Sequence, residues 1–159
     1  MPTNKQRVIG ALTSISFTIG GAWVASTIHT SAQLVAKTAF PKGVTATFEN
    51  IRNSSGNIVV MVFADRDAFK LYDVNKAIGY RQVPANQGTV TVSFPELKHG
   101  PLAIAAFHDE DKNQNLNMNG EWPTEGYATS GAVDAYDTPT FRAASIRQNE
   151  VSVTMHYAN

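Results

Sequence analysis

The chain has no cysteine among its 159 residues. Thiol catalysis, thiolate metal sites and disulfide staples are therefore excluded, and so is lipid attachment through a cysteine behind a leader. An excess of one charge is missing as well. Thirteen basic residues balance 13 acidic ones, so the chain offers no basic field to nucleic acid. There is no G-x-S-x-G, no H-E-x-x-H, no P-loop and no dinucleotide fingerprint, which removes the usual marks of serine hydrolases, zinc peptidases and nucleotide enzymes. Convincing helical periodicity is lacking beyond residue 32.

What the chain does have begins at its N-terminus. Lys5 and Arg7 precede residues 8–28, an uncharged run, and Thr30-Ser31-Ala32 then supplies the small residues a signal peptidase reads. Residues 1–32 are expected to be a signal peptide cleaved after Ala32, with Ser26 the second choice. The competing reading is an uncleaved membrane anchor, which the many Thr, Ser and Gly residues make a poor permanent span. Loss of Lys5 and Arg7 with the leader leaves a net charge of −2. The mature protein is expected to be exported, periplasmic or extracellular, and monomeric, touching a membrane only if the leader is kept.

A lead segment, residues 33–43, precedes a β-rich domain over residues 44–157. Val44, Ala46 and Phe48 alternate with Thr45, Thr47 and Glu49, the period of a half-buried strand. Turn residues 53–57 follow, and then IVVMVFA from Ile58 to Ala64, apolar on both faces as in a central strand. These two runs predict a hairpin. Residues 65–77 suit one helical turn anchored by Phe69 and by Leu71 or Tyr72. Further strands are predicted over 78–83 (ended by Pro84), 89–94, 102–108 and 140–146, and at Val151, Val153, Met155 and Tyr157. About seven strands with regularly spaced turns predict an all-β fold, an antiparallel Ig-like or prealbumin-like β-sandwich.

The segment 108–120, HDEDKNQNLNMNG, carries the most chemistry. Calcium takes six to eight oxygen ligands, often from alternate positions of a tight loop. With Asp109 as position 1, Asp111 falls at 3, Asn113 at 5, the carbonyl of Asn115 at 7 and Asn117 at 9. Two departures weaken the match: Gln114 stands where Gly usually allows the sharp turn, and Gly120 where a bidentate Glu usually sits. Only two carboxylates occupy ligand positions unless Glu121 or Glu125 folds back. A solvated Asx-rich loop whose side chains serve nearby backbone groups is the plainer reading, and the two departures favour it.

Around that loop stand His108, Glu121, Trp122, Glu125 and Tyr127 as candidate ligand-loop residues. His108 ends an apolar strand and is read as a hydrogen-bonding residue, because the additional nitrogen or sulfur ligands of a transition-metal site are not visible. His156 is placed facing outward on the last strand. Exposed loop aromatics can form ligand platforms, but Trp122 and Tyr127 are expected to fold inward and cap the core.

Gly100 to Asn113, then Leu116-Asn117 and the run from Gly120 to Tyr127, resemble the signature of the bacterial domain-of-unknown-function family 2141, as do Pro139 to Ala144 and the closing VSVTMHY. That family's pattern is G-x-Y-A-I-x-x-x-H-D-E-N-x-N-G-x-L-D followed by G-x-P-x-E-G-Y-G-F-S. The resemblance spans roughly residues 44–157 and implies a small exported β-sandwich with no established activity. This chain departs from the pattern at Gln114, at Asn117 and at Ala128-Thr129-Ser130.

The expected function is a non-catalytic binding or structural module for a protein or carbohydrate ligand, with calcium as its candidate cofactor. The alternative is a small cell-envelope hydrolase or lyase using His108 with Asp109, Glu121 or Glu125.

Overall fold

The computed structural model describes residues 43–98 and 100–158. The predicted signal peptide, most of the lead segment, His29 and His99 lie outside the described residues. No helix among the described residues is long and apolar enough to cross a membrane.

Seven strands form two sheets, and two more make a separate two-residue ribbon. In chain order the strands are β1 (Val44–Ile51), β2 (Asn57–Phe63), β3 (Gly79–Pro84), β4 (Gly88–Phe94), β5 (Ala103–Asp109), β6 (Met118–Asn119), β7 (Trp122–Pro123), β8 (Gly126–Thr129) and β9 (Glu150–Thr154). One sheet has the order β4-β1-β9, the other β3-β2-β5-β8, and β6 pairs with β7. The fold is all-β, as the period-2 runs predict. Not every pair is antiparallel, however, because β9 runs parallel to β1. No alternation pattern reveals which partner, or which direction, a strand will choose.

Three local expectations need correction. The runs at β1 and β2 form no hairpin: they belong to different sheets, and residues 52–56 carry the chain between them. Turn chemistry is the same for a hairpin and for a sheet-to-sheet crossing. The expected strand at 140–146 is instead a helical turn, α2 (Phe141–Ala144), whose Thr140 side chain accepts the Ala143 N–H. Only Ile146 keeps β character there, bridging Leu102. The expected turn after β2 is α1 (Arg66–Lys70), capped by Asp65, whose carboxylate accepts the N–H groups of Asp67 and Ala68. Phe69 anchors it, whereas Leu71 and Tyr72 are exposed.

Two apolar clusters explain why β2 and β5 are hydrophobic on both faces. Ile58, Val60, Val62, Ile104 and Ala106 point inward and meet Ala46, Phe48, Val92, Phe94, Val153 and Met155 of the other sheet. Val59, Met61, Phe63, Ala103, Ala105 and Phe107 point outward beneath Ala68 and Phe69 of α1 and Ala144 of α2. Buried Ser130 fastens this cover: its hydroxyl accepts the Ile104 N–H and donates to the Ala144 carbonyl. The four-stranded sheet is thus a middle layer, and β5 runs through it into the loop that holds the candidate site.

Candidate functional site

Strand alternation decides what each end residue of β5 can reach. Ala103, Ala105 and Phe107 face outward, so Asp109 shares their side. His108 shares the inner side of Ile104 and Ala106. Neighbours in sequence, His108 and Asp109 enter two different polar networks.

The inner network is buried and saturated. His108 is fully buried, and its Nε2 lies 2.7 Å from the Ser55 carbonyl. A carbonyl only accepts, so Nε2 carries the proton. Nδ1 lies 2.9 Å from the Tyr157 hydroxyl and 3.4 Å from Glu110 Oε1, and the Tyr157 oxygen accepts the Arg52 N–H at 3.1 Å. The Arg52 guanidinium lies 4.6 Å from the centre of the Tyr157 ring. It also grips Glu110 through both carboxylate oxygens, at 2.6 and 2.8 Å. That bidentate bond holds the Glu110 carboxyl below its ordinary pKa and raises that of Arg52. Burial pushes the Tyr157 hydroxyl up, which keeps it a donor.

The outer network gathers the acids. One oxygen each of Asp109, Asp111 and Glu125 lies within 4.8 Å of the others. Asp109 and Glu125 are buried, and neither takes part in an ion pair among the described residues. Glu125 is held by two backbone donors, the N–H groups of Glu110 at 2.8 Å and Asn117 at 3.0 Å. Asp109 Oδ2 accepts the Gln114 N–H at 3.1 Å, but Asp109 Oδ1 is buried without any hydrogen-bond partner. An unsatisfied buried carboxylate oxygen costs about 1–3 kcal/mol or more, unless a cation or a proton meets it. Asp111 is exposed and accepts from the side-chain amides of Asn113 and Asn117. The Asn117 bond is the first cause of its lowered pKa.

The loop backbone takes the turn required for this convergence. Lys112 and Gln114 both adopt left-handed backbone conformations, with φ of 64° and 65°. Gln114 thus occupies the conformation that Gly was expected to be needed for. The Asn115 side chain turns back onto the Asn113 carbonyl, and Asn113 Nδ2 donates to Asn117 Oδ1.

The remaining residues separate. Glu121 is exposed between β6 and β7 and lies outside the acidic cluster. Trp122 is 54% exposed rather than folded inward, and it packs edge-to-face on Tyr136, itself 75% exposed, with ring centres 5.5 Å apart. Tyr127 is half-buried, and its hydroxyl donates to the Ala135 carbonyl. His156 does not face outward: it is half-buried, its backbone bridges Tyr127, and its Nε2 is buried. Arg52, Glu110, Ser55 and Tyr157 have no counterpart among the sequence candidates. Glu125 stood among the candidate ligand-loop residues and as an acid able to fold back onto the metal loop, not as a member of the ligand series itself.

Comparison with curated proteins and with solved structures gives no match. Residues 46–156 do match the family described as "Uncharacterized protein conserved in bacteria (DUF2141)". This span runs from Ala46 in β1 to His156 beyond β9 and takes in the outer network and all of the inner one but Tyr157. Because it covers well over half of the chain, the protein belongs to the DUF2141 family.

Proposed function

We propose that the domain is an exported, monomeric, non-catalytic binding module, an Ig-like or prealbumin-like β-sandwich whose loop at 109–125 takes up calcium. The observation that carries this reading is Asp109 Oδ1, a buried carboxylate oxygen with no partner, set among two more converging carboxylates. Two oxygens on one calcium at about 2.4 Å can stand at most about 4.8 Å apart, which the cluster satisfies. Asp109, Asp111 and Glu125 supply the charge, and Asn113, Asn115 and Asn117 the nearby amide and carbonyl oxygens. Calcium here would order the loop and neutralise the two buried acids. Export is supported by the leader-like residues 1–32. The exposed pair made by Trp122 of that loop and Tyr136 beyond β8 offers a protein or carbohydrate partner its contact.

The hydrolase or lyase alternative gains no support from His108. Both ring nitrogens are committed to hydrogen bonds, and its side chain faces away from Asp109. The deciding experiment is a thermal melt in millimolar calcium against chelator. A ligand at a hundredfold excess over its Kd stabilises the native state by about 2.7 kcal/mol, so the melting temperature should rise by several degrees in calcium. The rise should vanish in Asp109→Ala/Asp111→Ala. Equal melting temperatures in the two conditions would sink the proposal.

A further inference from the structure

A second site lies on the outer face of the middle sheet, in two cavities of contrasting character. One is a groove of about 740 Å³ floored by Val59, Met61, Ala105 and Phe107, with Leu116 and Tyr80 among its walls. None of its lining residues is charged. The other, of about 690 Å³, is lined by Arg66, Lys70 and Arg142 and by no acidic residue. Both volumes fall in the range of roughly 300–1,000 Å³ typical of small-ligand sites.

Two residues, Tyr72 and Thr138, line both cavities, so the groove and the cationic recess meet at a shared edge. The three cations are exposed, and none forms an ion pair among the described residues. Lys70 and Arg142 lie in the last turns of α1 and α2, and with Arg66 they give the recess three cations and no acid. An apolar floor joined to a cationic recess is complementary to a molecule with the same two halves.

We propose that the two cavities form one binding site for a small amphipathic carboxylate. Its acyl or aryl part lies on the floor formed by β2 and β5, and its carboxylate sits among Arg66, Lys70 and Arg142. The neutral groove rejects a charge along the chain, because a desolvated ion there would have no partner. The cations select the sign of the head group and, being solvated, contribute a modest share of affinity. Gln114, Asn115, Leu116, Met118 and Pro123 of the loop at 109–125 are among the groove's lining residues, so the site shares a wall with that loop.

The test is calorimetric titration of the purified protein, in millimolar calcium and separately in chelator, with sodium octanoate and with 1-octanol as its uncharged counterpart; the proposal is judged on the calcium arm, and the chelator arm reads the contribution of the loop. Octanoate is expected to bind saturably at one per chain. Arg66→Gln/Lys70→Gln/Arg142→Gln changes only exposed side chains and should weaken octanoate about tenfold, with octanol held within about twofold, on the scale expected for three partly screened charges. Ala105→Phe, which fills the floor, should weaken both ligands, and its thermal melt shows whether it is folded. Absence of saturable octanoate binding by the unaltered protein overturns the proposal. So does a triple variant that binds octanoate as before, or one that loses octanol as severely as octanoate.

Discussion

Tyr157 makes three contacts with two neighbours: it accepts the Arg52 N–H, hydrogen-bonds His108 Nδ1 and stacks beneath the Arg52 guanidinium. Tyr157→Phe keeps the ring and removes the bond to a fully buried imidazole nitrogen. A buried group left unpaired costs about 1–3 kcal/mol, so urea unfolding should show a stability loss of that size. An unchanged midpoint would mean that water replaces the hydroxyl. Of this relay only His108 stood out in the sequence, as a hydrogen-bonding residue; its partners did not, because the contacts join residues 105 and 58 positions apart, and no spacing rule reaches so far. Asp109 and Asp111 were legible, since alternate acids followed by amides draw attention to themselves. Glu125 entered the cluster only through the fold, which returns the chain along β8 beside the end of β5.

Among the elements, β8 shows how tightly the two networks are fitted together. Gly126 pairs with His108 across the sheet, and a side chain there would begin 2.3 Å from the Tyr157 ring. Gly126→Ala should therefore destabilise the domain by about 1–3 kcal/mol, the usual cost of overpacking. In a Tyr157→Ala background the same substitution should cost almost nothing, and a double-mutant cycle measures the difference. Gly56 is constrained in another way: φ is 67°, and a Cβ would meet the Asp109 carbonyl at 1.8 Å. The central strands β2 and β5 were readable because burial on both faces leaves an unbroken apolar run. The short segment 140–146 was not, since four residues of helix and a brief strand share one composition, and the Thr140 cap decided between them.

At the scale of the molecule, the parallel pairing of β1 with β9 joins residues 45–49 to residues 150–154. Val153 and Met155 complete the core between the sheets, and Tyr157 completes the relay above it. Deletion of residues 150–157 should thus abolish the cooperative thermal transition rather than merely lower its midpoint; circular dichroism melts would show this, and a sharp transition in the shortened chain would contradict it. Pairings of such long sequence separation are slow to form. The consequence is one of timing: during synthesis, β1 remains an open edge until the ribosome has passed residue 154, and His108 lacks its tyrosine until residue 157. A chain still being made therefore has neither its finished core nor its finished site.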